Sequence, residues 1–339
     1  MMEELRKYQL PSGRLYLDNA ATRLMSQQSM NELIDLRRRF PGNVSSNNVS
    51  GKVLQSELDL RRAQIAEWCK CLPKNLIFTS GSTEAINLIL WNHFREEGGR
   101  IVVFSLDHPA LVNTSKFYGE IGVEVLIIPG IANIDAIEEE LDARNGILVV
   151  SHVHSETGIL IDLHEFSILC KKRELKLAVD VTQSMGRPDS GWDIGSPDFL
   201  VGSAHKMGGE QGLGLVVDYR NRLSHSLIHG GAQQNGLRSG TINAVSIIHW
   251  ARQWPHCSEL NWHSMWDSVN HICFDGQAKK VNVRQSCNWI ILARMKPETQ
   301  DRFREKVDFS NGSACSSGLV SSAYASLFED PEEILRLSF

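Results

Sequence analysis

The feature that most constrains the fold is an alternation of short apolar runs with amphipathic stretches between residues 75 and 217. This alternation is typical of repeated strand–helix–strand units around a mostly parallel sheet. The predicted strands are Asn75–Thr79, Ile101–Phe104, Val123–Ile128, Ile147–His152, Leu175–Val179, Asp198–Gly202 and Leu213–Val217. The predicted helices lie near residues 52–69, 82–94, 109–121, 133–142 and 163–173. We therefore expect an α/β fold.

Composition and charge argue against several classes of protein. The chain has 339 residues, of which 42% are hydrophobic, and a formal net charge of -5, so it has no general attraction to nucleic acid or to anionic membranes. No run approaches the ~18 apolar residues of a membrane span, and the N-terminus lacks the apolar core of a signal peptide. The seven cysteines are scattered and odd in number, which fits a reducing compartment. We expect a cytoplasmic protein without direct membrane or nucleic-acid binding.

Polar residues follow several of the predicted strands, where ligands of open α/β sheets bind. The turn Thr79–Thr83 contains a glycine and opens a helix; it suits a phosphate, although a plain helix cap is the alternative. Pro109 places His108 at the end of the next strand, and Asp180 directly follows an apolar run. A carboxylate in that position needs a partner, because an unpaired buried charge is costly.

The last of these strand ends carries Lys206 in the turn Gly202-Ser-Ala-His-Lys206. A lysine that forms an imine needs a partly desolvated pocket beside another cation, whereas a solvated loop lysine is the alternative. These groups match the parts of pyridoxal phosphate. An anion-binding helix start suits its phosphate, an imidazole its ring, an acid its pyridine nitrogen and this lysine its aldehyde. No dinucleotide or nucleoside triphosphate fingerprint accompanies the first strand. His-x-His at residues 152–154 lacks a third ligand at metal spacing, so we expect no metal site.

The order of the motifs resembles that of the cysteine desulfurases, in the class V aminotransferase group of fold-type I pyridoxal-phosphate enzymes. The motifs that carry the resemblance are Tyr16-Leu-Asp-Asn-Ala-Ala-Thr22, Phe78-Thr-Ser-Gly-Ser-Thr-Glu84, Val179-Asp-Val-Thr-Gln-Ser184, Gly202-Ser-Ala-His-Lys206, His229-Gly-Gly231, Leu237-Arg-Ser-Gly-Thr241 and Asn311-Gly-Ser-Ala-Cys315. The resemblance implies a large cofactor-binding domain over residues 20–248. Residues 1–19 and 249–339 would form a small α+β domain with the cysteine loop.

The resemblance also implies a role for each cofactor-site residue. Lys206 would form the imine with the cofactor aldehyde, Asp180 would pair with the pyridine nitrogen, and Gln183 would bond the phenolic oxygen. His108 would stack on the ring and exchange protons with the substrate. The phosphate donors would be Ser82, Thr83, Ser203, His205 and, from a second subunit, Thr241. The last role implies a homodimer.

On the substrate side, the resemblance makes Cys315 the nucleophile that takes sulfur from L-cysteine. Arg336 would hold the substrate carboxylate, since a guanidinium matches a carboxylate as a bidentate fork, with Asn19 and Ser155 beside it. The products would be L-alanine and a Cys315 persulfide. The persulfide would pass to an acceptor protein of iron–sulfur assembly, tRNA thiolation or DNA phosphorothioate modification, and the sequence does not choose among these acceptors.

Several segments depart from the family pattern. Ser155 replaces an asparagine of the usual Asn-Asn-Glu-x-Gly, and the segment around Asn48 lacks the usual proline and histidine. The chain ends three residues after Arg336, so we expect an abbreviated small domain that a partner or a tighter dimer completes. Two other functions stay open: a pyridoxal-phosphate aminotransferase or other lyase in which Cys315 is incidental, and a catalytically weak scaffold that needs a partner.

Overall fold

The computed structural model describes residues 5–96, 98–187, 190–191, 197–254, 266–312 and 321–339. The chain divides into two compact units. Unit 1 consists of Met1–Leu24, Val153–Ile161 and Ser258–Phe339, and unit 2 consists of Met25–His152 and Asp162–Cys257. The domain boundaries given above from the sequence stay a prediction. No helix in the described ranges is both long and apolar enough to cross a membrane.

The described residues form strands in both units. The strands are β1 Leu15–Tyr16, β2 Leu76–Thr79, β3 Arg100–Phe104, β4 Val125–Ile128, β5 Gly146–Ser151, β6 Leu175–Asp180, β7 Phe199–Ser203, β8 Gly214–Asp218, β9 Lys279–Val281, β10 Ile290–Arg294, β11 Val307–Asp308 and β12 Ile334–Ser338. Strands β2 to β8 correspond to the seven strands that the sequence predicts. The predicted positions of these strands are therefore confirmed.

The described α-helices begin mostly at a capping side chain or a proline. They are α1 Gln27–Arg39, α2 Val49–Trp68, α3 Ser82–Glu96, α4 Pro109–Glu120, α5 Ile134–Glu140, α6 Leu163–Lys172, α7 Ala244–Gln253, α8 Trp266–Phe274, α9 Pro297–Arg304 and α10 Ser322–Leu327. Asn48 caps α2 by accepting a hydrogen bond from the Gly51 N–H at 2.8 Å. Its contribution is therefore to helix stability. The five predicted helices correspond to α2 to α6.

Unit 2 contains one seven-stranded sheet in the order β2-β8-β7-β6-β5-β3-β4. Strand β8 runs antiparallel to both of its neighbours, β2 and β7, while the pairs among β3 to β7 are parallel. Every residue of β3, β5, β6 and β7 is buried, as expected for a parallel sheet covered on both faces. The mixed, mostly parallel α/β architecture that the sequence predicts is confirmed.

Unit 1 contains a three-stranded antiparallel sheet in the order β12-β10-β9 and a short parallel pair of β1 with β11. Its core is rich in aromatic rings: Phe274 lies edge-on to both Phe303 and Phe309, with centroid distances of 5.6 and 5.9 Å. Every residue of β12 is buried. This strand carries Arg336 into the interior of unit 1.

Candidate active site

The first candidate feature in unit 2 is the turn between β2 and α3. The Ser203 hydroxyl, at the end of β7, accepts a hydrogen bond from the Ser82 N–H at 2.9 Å and lies 2.9 Å from the Ser82 hydroxyl. Ser82 also bonds the Thr182 hydroxyl. Thr83 is exposed in the first turn of α3, where backbone N–H groups lack helical partners and the helix dipole is positive. The structure thus brings two predicted phosphate donors, Ser82 and Ser203, into contact.

A glycine allows this turn to pack closely on the sheet. A Cβ atom built on Gly214, the first residue of β8, would lie 2.5 Å from the Gly81 Cα and 2.7 Å from the Gly202 carbonyl oxygen. No side chain fits at that distance. The absence of a side chain at Gly214 therefore shapes the turn that would receive an anion.

His108 is held at the start of α4. Its Nδ1 accepts a hydrogen bond from the Ala110 N–H at 3.1 Å, so the neutral ring carries its proton on Nε2. The buried Asp107 carboxylate accepts from the N–H groups of His108, at 2.7 Å, and Ser151, at 2.9 Å. Asp107 thereby joins the ends of β3 and β5 and orients the segment that carries the imidazole.

Asp180 is the last residue of β6 and is buried, with 7% of its surface exposed. Its Oδ1 accepts a hydrogen bond from the Thr182 N–H at 2.9 Å. Burial raises the pKa of Asp180. The hydrogen bonds from Thr182 and the electrostatic effect of the nearby His108 oppose this shift without cancelling it. A cationic partner such as a protonated pyridine nitrogen would stabilise the carboxylate.

Lys206 lies in a single 3₁₀ turn, Ala204–Met207, directly after β7. The turn ends at Gly208, whose φ of 84° is in the left-handed region that favours glycine. Burial and then the charge of Lys206 lower the pKa of His205 to about 4, so its imidazole is neutral at pH 7. His205 can therefore donate or accept a hydrogen bond but does not add a positive charge.

The other two predicted cofactor residues are also in unit 2. Gln183 is half-buried in the turn that follows Asp180, and Thr241 is exposed shortly before α7. The hydroxyls, first-turn N–H groups, buried acid and lysine of unit 2 fit the chemistry of pyridoxal phosphate. Ser82, Thr83, Ser203 and His205 would hold its phosphate, Asp180 its ring nitrogen and Lys206 its aldehyde.

Arg336 is the central residue of the candidate site in unit 1. It is 1% exposed; its Nη2 pairs with Asp18 Oδ1 at 2.7 Å, and its Nη1 donates to the Ser155 carbonyl oxygen at 2.7 Å. The Nε–H is buried and has no hydrogen-bond partner among the described residues. The guanidinium thus has an internal carboxylate partner, while its Nε–H has none among the described residues.

Asn19 and Ser155, the other two predicted substrate-binding residues, are also in unit 1. The Asn19 side chain donates to the Ser338 carbonyl oxygen at 3.2 Å and accepts from the Leu24 N–H at 3.0 Å, so both of its polar atoms are bonded to backbone. Ser155 contacts Arg336 through its carbonyl oxygen. The substrate-binding roles of both residues stay predictions.

Cys315 lies outside the described residues, but both ends of its segment are described. Ser310 donates to Asp18 Oδ1 at 3.1 Å, and Ser321 bonds the carboxylate of Glu156. A Cβ atom on Gly312 would lie 2.9 Å from the Ser321 Cβ, so the two ends meet. Both described ends of the segment are therefore bonded to acids. Ser310 bonds Asp18, which pairs with Arg336, and Ser321 bonds Glu156, which follows Ser155.

Comparison with known proteins gives the family. The model that describes class-V aminotransferases matches residues 15–274 of this chain. The chain belongs to the class-V aminotransferase family.

Individual members of the family show the same likeness. The cysteine desulfurase IscS of Buchnera aphidicola subsp. Baizongia pistaciae is 29% identical over 246 residues, which are 69% of this chain and 61% of that protein. A solved NifS-like protein superposes with a TM-score of 0.84 at 22% identity over 96% of this chain and 93% of its own. A structure described as SspA in complex with cysteine gives 0.79 at 20% identity, covering 96% and 98%. The fold of the class-V family is thus confirmed.

Within this class-V chain, sequence reasoning missed the acids that organise the sites. Asp18 and Asp107 stand next to predicted residues, yet the sequence gives no partner for either. The signal available was the cost of an unpaired buried acid, which applies to the buried Asp107 as much as to Asp180, whereas Asp18 is only partly buried. Glu156 lies in the motif that contains Ser155. Its contact with Ser321 joins positions 165 apart in sequence, and no local pattern predicts such a contact.

Proposed function

We propose that this chain is a pyridoxal-phosphate-dependent cysteine desulfurase. The main support for this proposal is a set of residues at the carboxyl ends of the unit 2 strands: a buried Asp180 with a raised pKa, the Ser82–Ser203 turn and Lys206. The names of the relatives support the same activity. One structural neighbour is a complex with cysteine, which supports L-cysteine as the substrate.

Bound at these residues, pyridoxal phosphate would supply an electron sink for the bonds at the substrate Cα. Asp180 would pair as a carboxylate with the ring nitrogen, and the hydroxyls of Ser82 and Ser203 would hold the phosphate. Lys206 accepts the Cα proton as a general base. His108, with its Nε2 proton facing away from the α4 backbone, exchanges protons with the substrate.

The sulfur step belongs to the residues of unit 1. Arg336 orients the substrate carboxylate. The Cys315 thiolate attacks the substrate sulfur; a sulfur–sulfur bond forms as the bond between Cβ and sulfur breaks, and its electron pair stays with the substrate carbon. A proton then completes the methyl group of L-alanine. The persulfide passes to an acceptor protein, and the enzyme works as a cytoplasmic homodimer in which Thr241 reaches the second subunit's phosphate.

To test this function, the protein is reconstituted with pyridoxal phosphate and then incubated with L-cysteine and a reductant. We expect equal amounts of alanine and sulfide, and loss of both in Cys315→Ala. Cys71→Ala is the matched control, because burial raises the pKa of Cys71 to about 11 and makes it a poor nucleophile. A keto acid product would identify an aminotransferase. Cofactor binding without turnover would identify a scaffold, and absence of a visible absorbance band that depends on Lys206 would exclude both enzyme functions.

A further inference from the structure

A side chain bonds the backbone of β2 at the edge of the unit 2 sheet. Strand β2 is at the end of the strand order, and an edge strand presents backbone groups without strand partners. Gln234 fills this position: its Oε1 accepts from the Phe78 N–H at 2.7 Å, and its Nε2 donates to the Phe78 carbonyl oxygen at 2.7 Å. The glutamine amide thus pairs with Phe78 as a peptide group of a neighbouring strand would.

A second contact ties the same segment to the other side of the candidate phosphate turn. Arg238 donates from Nε to Glu84 Oε1 at 3.0 Å and from Nη2 to Glu84 Oε2 at 3.2 Å. Glu84 Oε2 also accepts from the Ser80 N–H at 2.8 Å. Burial acts against ionisation of Glu84, but the bonds from Arg238 and Ser80 outweigh it and lower its pKa. The pair is therefore charged and bidentate.

The backbone between the two contacts is strained. Gln234 and Asn235 have φ angles of 49° and 60°, a left-handed conformation that asparagine tolerates but that is unfavourable for glutamine. Glycine would adopt it freely but could not bond Phe78. Beyond it, Leu237 packs on the core of unit 2, and the Gln233 side chain accepts from the Gly240 N–H at 3.0 Å. The segment is thus held continuously up to Thr241.

We infer that Gln234 and Arg238 form a two-point clamp that holds segment 232–241 and the turn 79–83 as one body and thereby positions the donors of the cofactor phosphate. The inference rests on the proposed function, because it assigns the turn to that phosphate. Gln234 and Arg238 are positioning residues: they touch Phe78 and Glu84, which flank the turn. Thr241 belongs to the same segment. The clamp at the β2 edge of one chain therefore also positions the Thr241 hydroxyl that this chain offers to the phosphate of the second subunit.

The first measurement is hydrogen exchange on the protein without cofactor. The Phe78 N–H is protected by Gln234, so in Gln234→Ala we expect exchange in the peptide around Phe78 to rise tenfold or more. Gln28→Ala, at an exposed position of α1, is the control and should exchange like the wild type. Unchanged exchange at Phe78 in Gln234→Ala overturns the clamp.

The second measurement separates phosphate positioning from general loosening. Release of pyridoxal phosphate should be about tenfold faster in Gln234→Ala, and faster in Gln234→Glu and Arg238→Lys, while the affinity for pyridoxal, which lacks the phosphate, stays as in the wild type. Gln234→Glu keeps the size of the side chain but cannot donate to Phe78, and serves if the alanine variant does not fold. Equal losses for both ligands, or none, would refute the positioning role. If the wild type binds neither ligand, the proposed function fails, and hydrogen exchange still decides on the clamp.

Discussion

Asp180 in unit 2 and Arg336 in unit 1 are both charged side chains at buried strand positions, yet their surroundings differ. Arg336 pairs with Asp18 inside its own unit. Asp180 accepts a hydrogen bond from the neutral Thr182 N–H, and burial raises its pKa although Thr182 and the nearby His108 act against the shift. The comparison separates a charge that already has an oppositely charged partner in the protein, and can still offer its Nε–H to a substrate carboxylate, from a charge that fits a cationic ligand. Removing the Asp18 carboxylate, which pairs with Arg336, and removing the Asp180 carboxylate should therefore change the stability of the protein in opposite directions.

The largest expected effect is in unit 1. Asp18→Ala should destabilise the protein by about 3–5 kcal/mol, because it leaves the Arg336 guanidinium buried without its carboxylate. Urea unfolding of the cofactor-free protein measures the loss. Asp275→Ala is the control: its pair with Arg302 is more than half exposed on both sides and should contribute less than about 1 kcal/mol. Similar small losses in both variants would show that the Asp18–Arg336 pair is dispensable.

The next largest expected effect concerns the close packing of the turn between β2 and α3 in unit 2. Gly214→Ala should cost about 1–3 kcal/mol and weaken retention of pyridoxal phosphate, since the added methyl overlaps backbone atoms of Gly81 and Gly202. Thermal unfolding and cofactor absorbance after gel filtration report the two effects. In Gly119→Ala the methyl meets only the Val125 side chain, at 3.3 Å, and should cost little. A Gly214→Ala protein as stable as the control would contradict this packing argument.

Asp180→Asn tests the opposite sign directly. Because burial raises the pKa of Asp180 in the folded protein above its unfolded value, folding favours the protonated acid, and stability is lost as pH rises through the folded pKa. The amide removes this penalty. We expect the cofactor-free variant to be more stable than wild type at pH 7 by on the order of 1 kcal/mol, with the difference shrinking as pH falls. Lower stability at pH 7 would mean that the carboxylate is already neutralised inside unit 2.

The smallest expected effect concerns Ser155. If the residue acts through its carbonyl oxygen on Arg336, Ser155→Ala should change the KM for L-cysteine less than about twofold, because the backbone contact survives. A hydroxyl that bonds the substrate would contribute about 0.5–1.5 kcal/mol, so its loss would raise KM severalfold. Steady-state kinetics decide between the carbonyl contact and the side-chain contact that the resemblance predicts.

Sequence reasoning was accurate where local periodicity carries the signal. The apolar runs of unit 2 became β2 to β8, because a strand buried on both faces needs a continuous apolar sequence. Helix α1 was not predicted, although Ser26 caps it and Leu36 is buried beneath it. The sequence also did not indicate that β8 runs antiparallel to its neighbours, since strand direction depends on the path of the connections.

The residue types and their order were sufficient to determine the α/β class, the family, and the candidate roles of Lys206, Asp180, His108 and Cys315. Tertiary structure alone decided the pairing of Arg336 with Asp18, the junction of Gly312 with Ser321 and the bonds of Gln234 to Phe78. The Arg336–Asp18 and Gln234–Phe78 contacts join positions 318 and 156 apart along the chain. Their partners depend on which strands lie side by side and on which buried polar groups must be satisfied, and no local pattern encodes either.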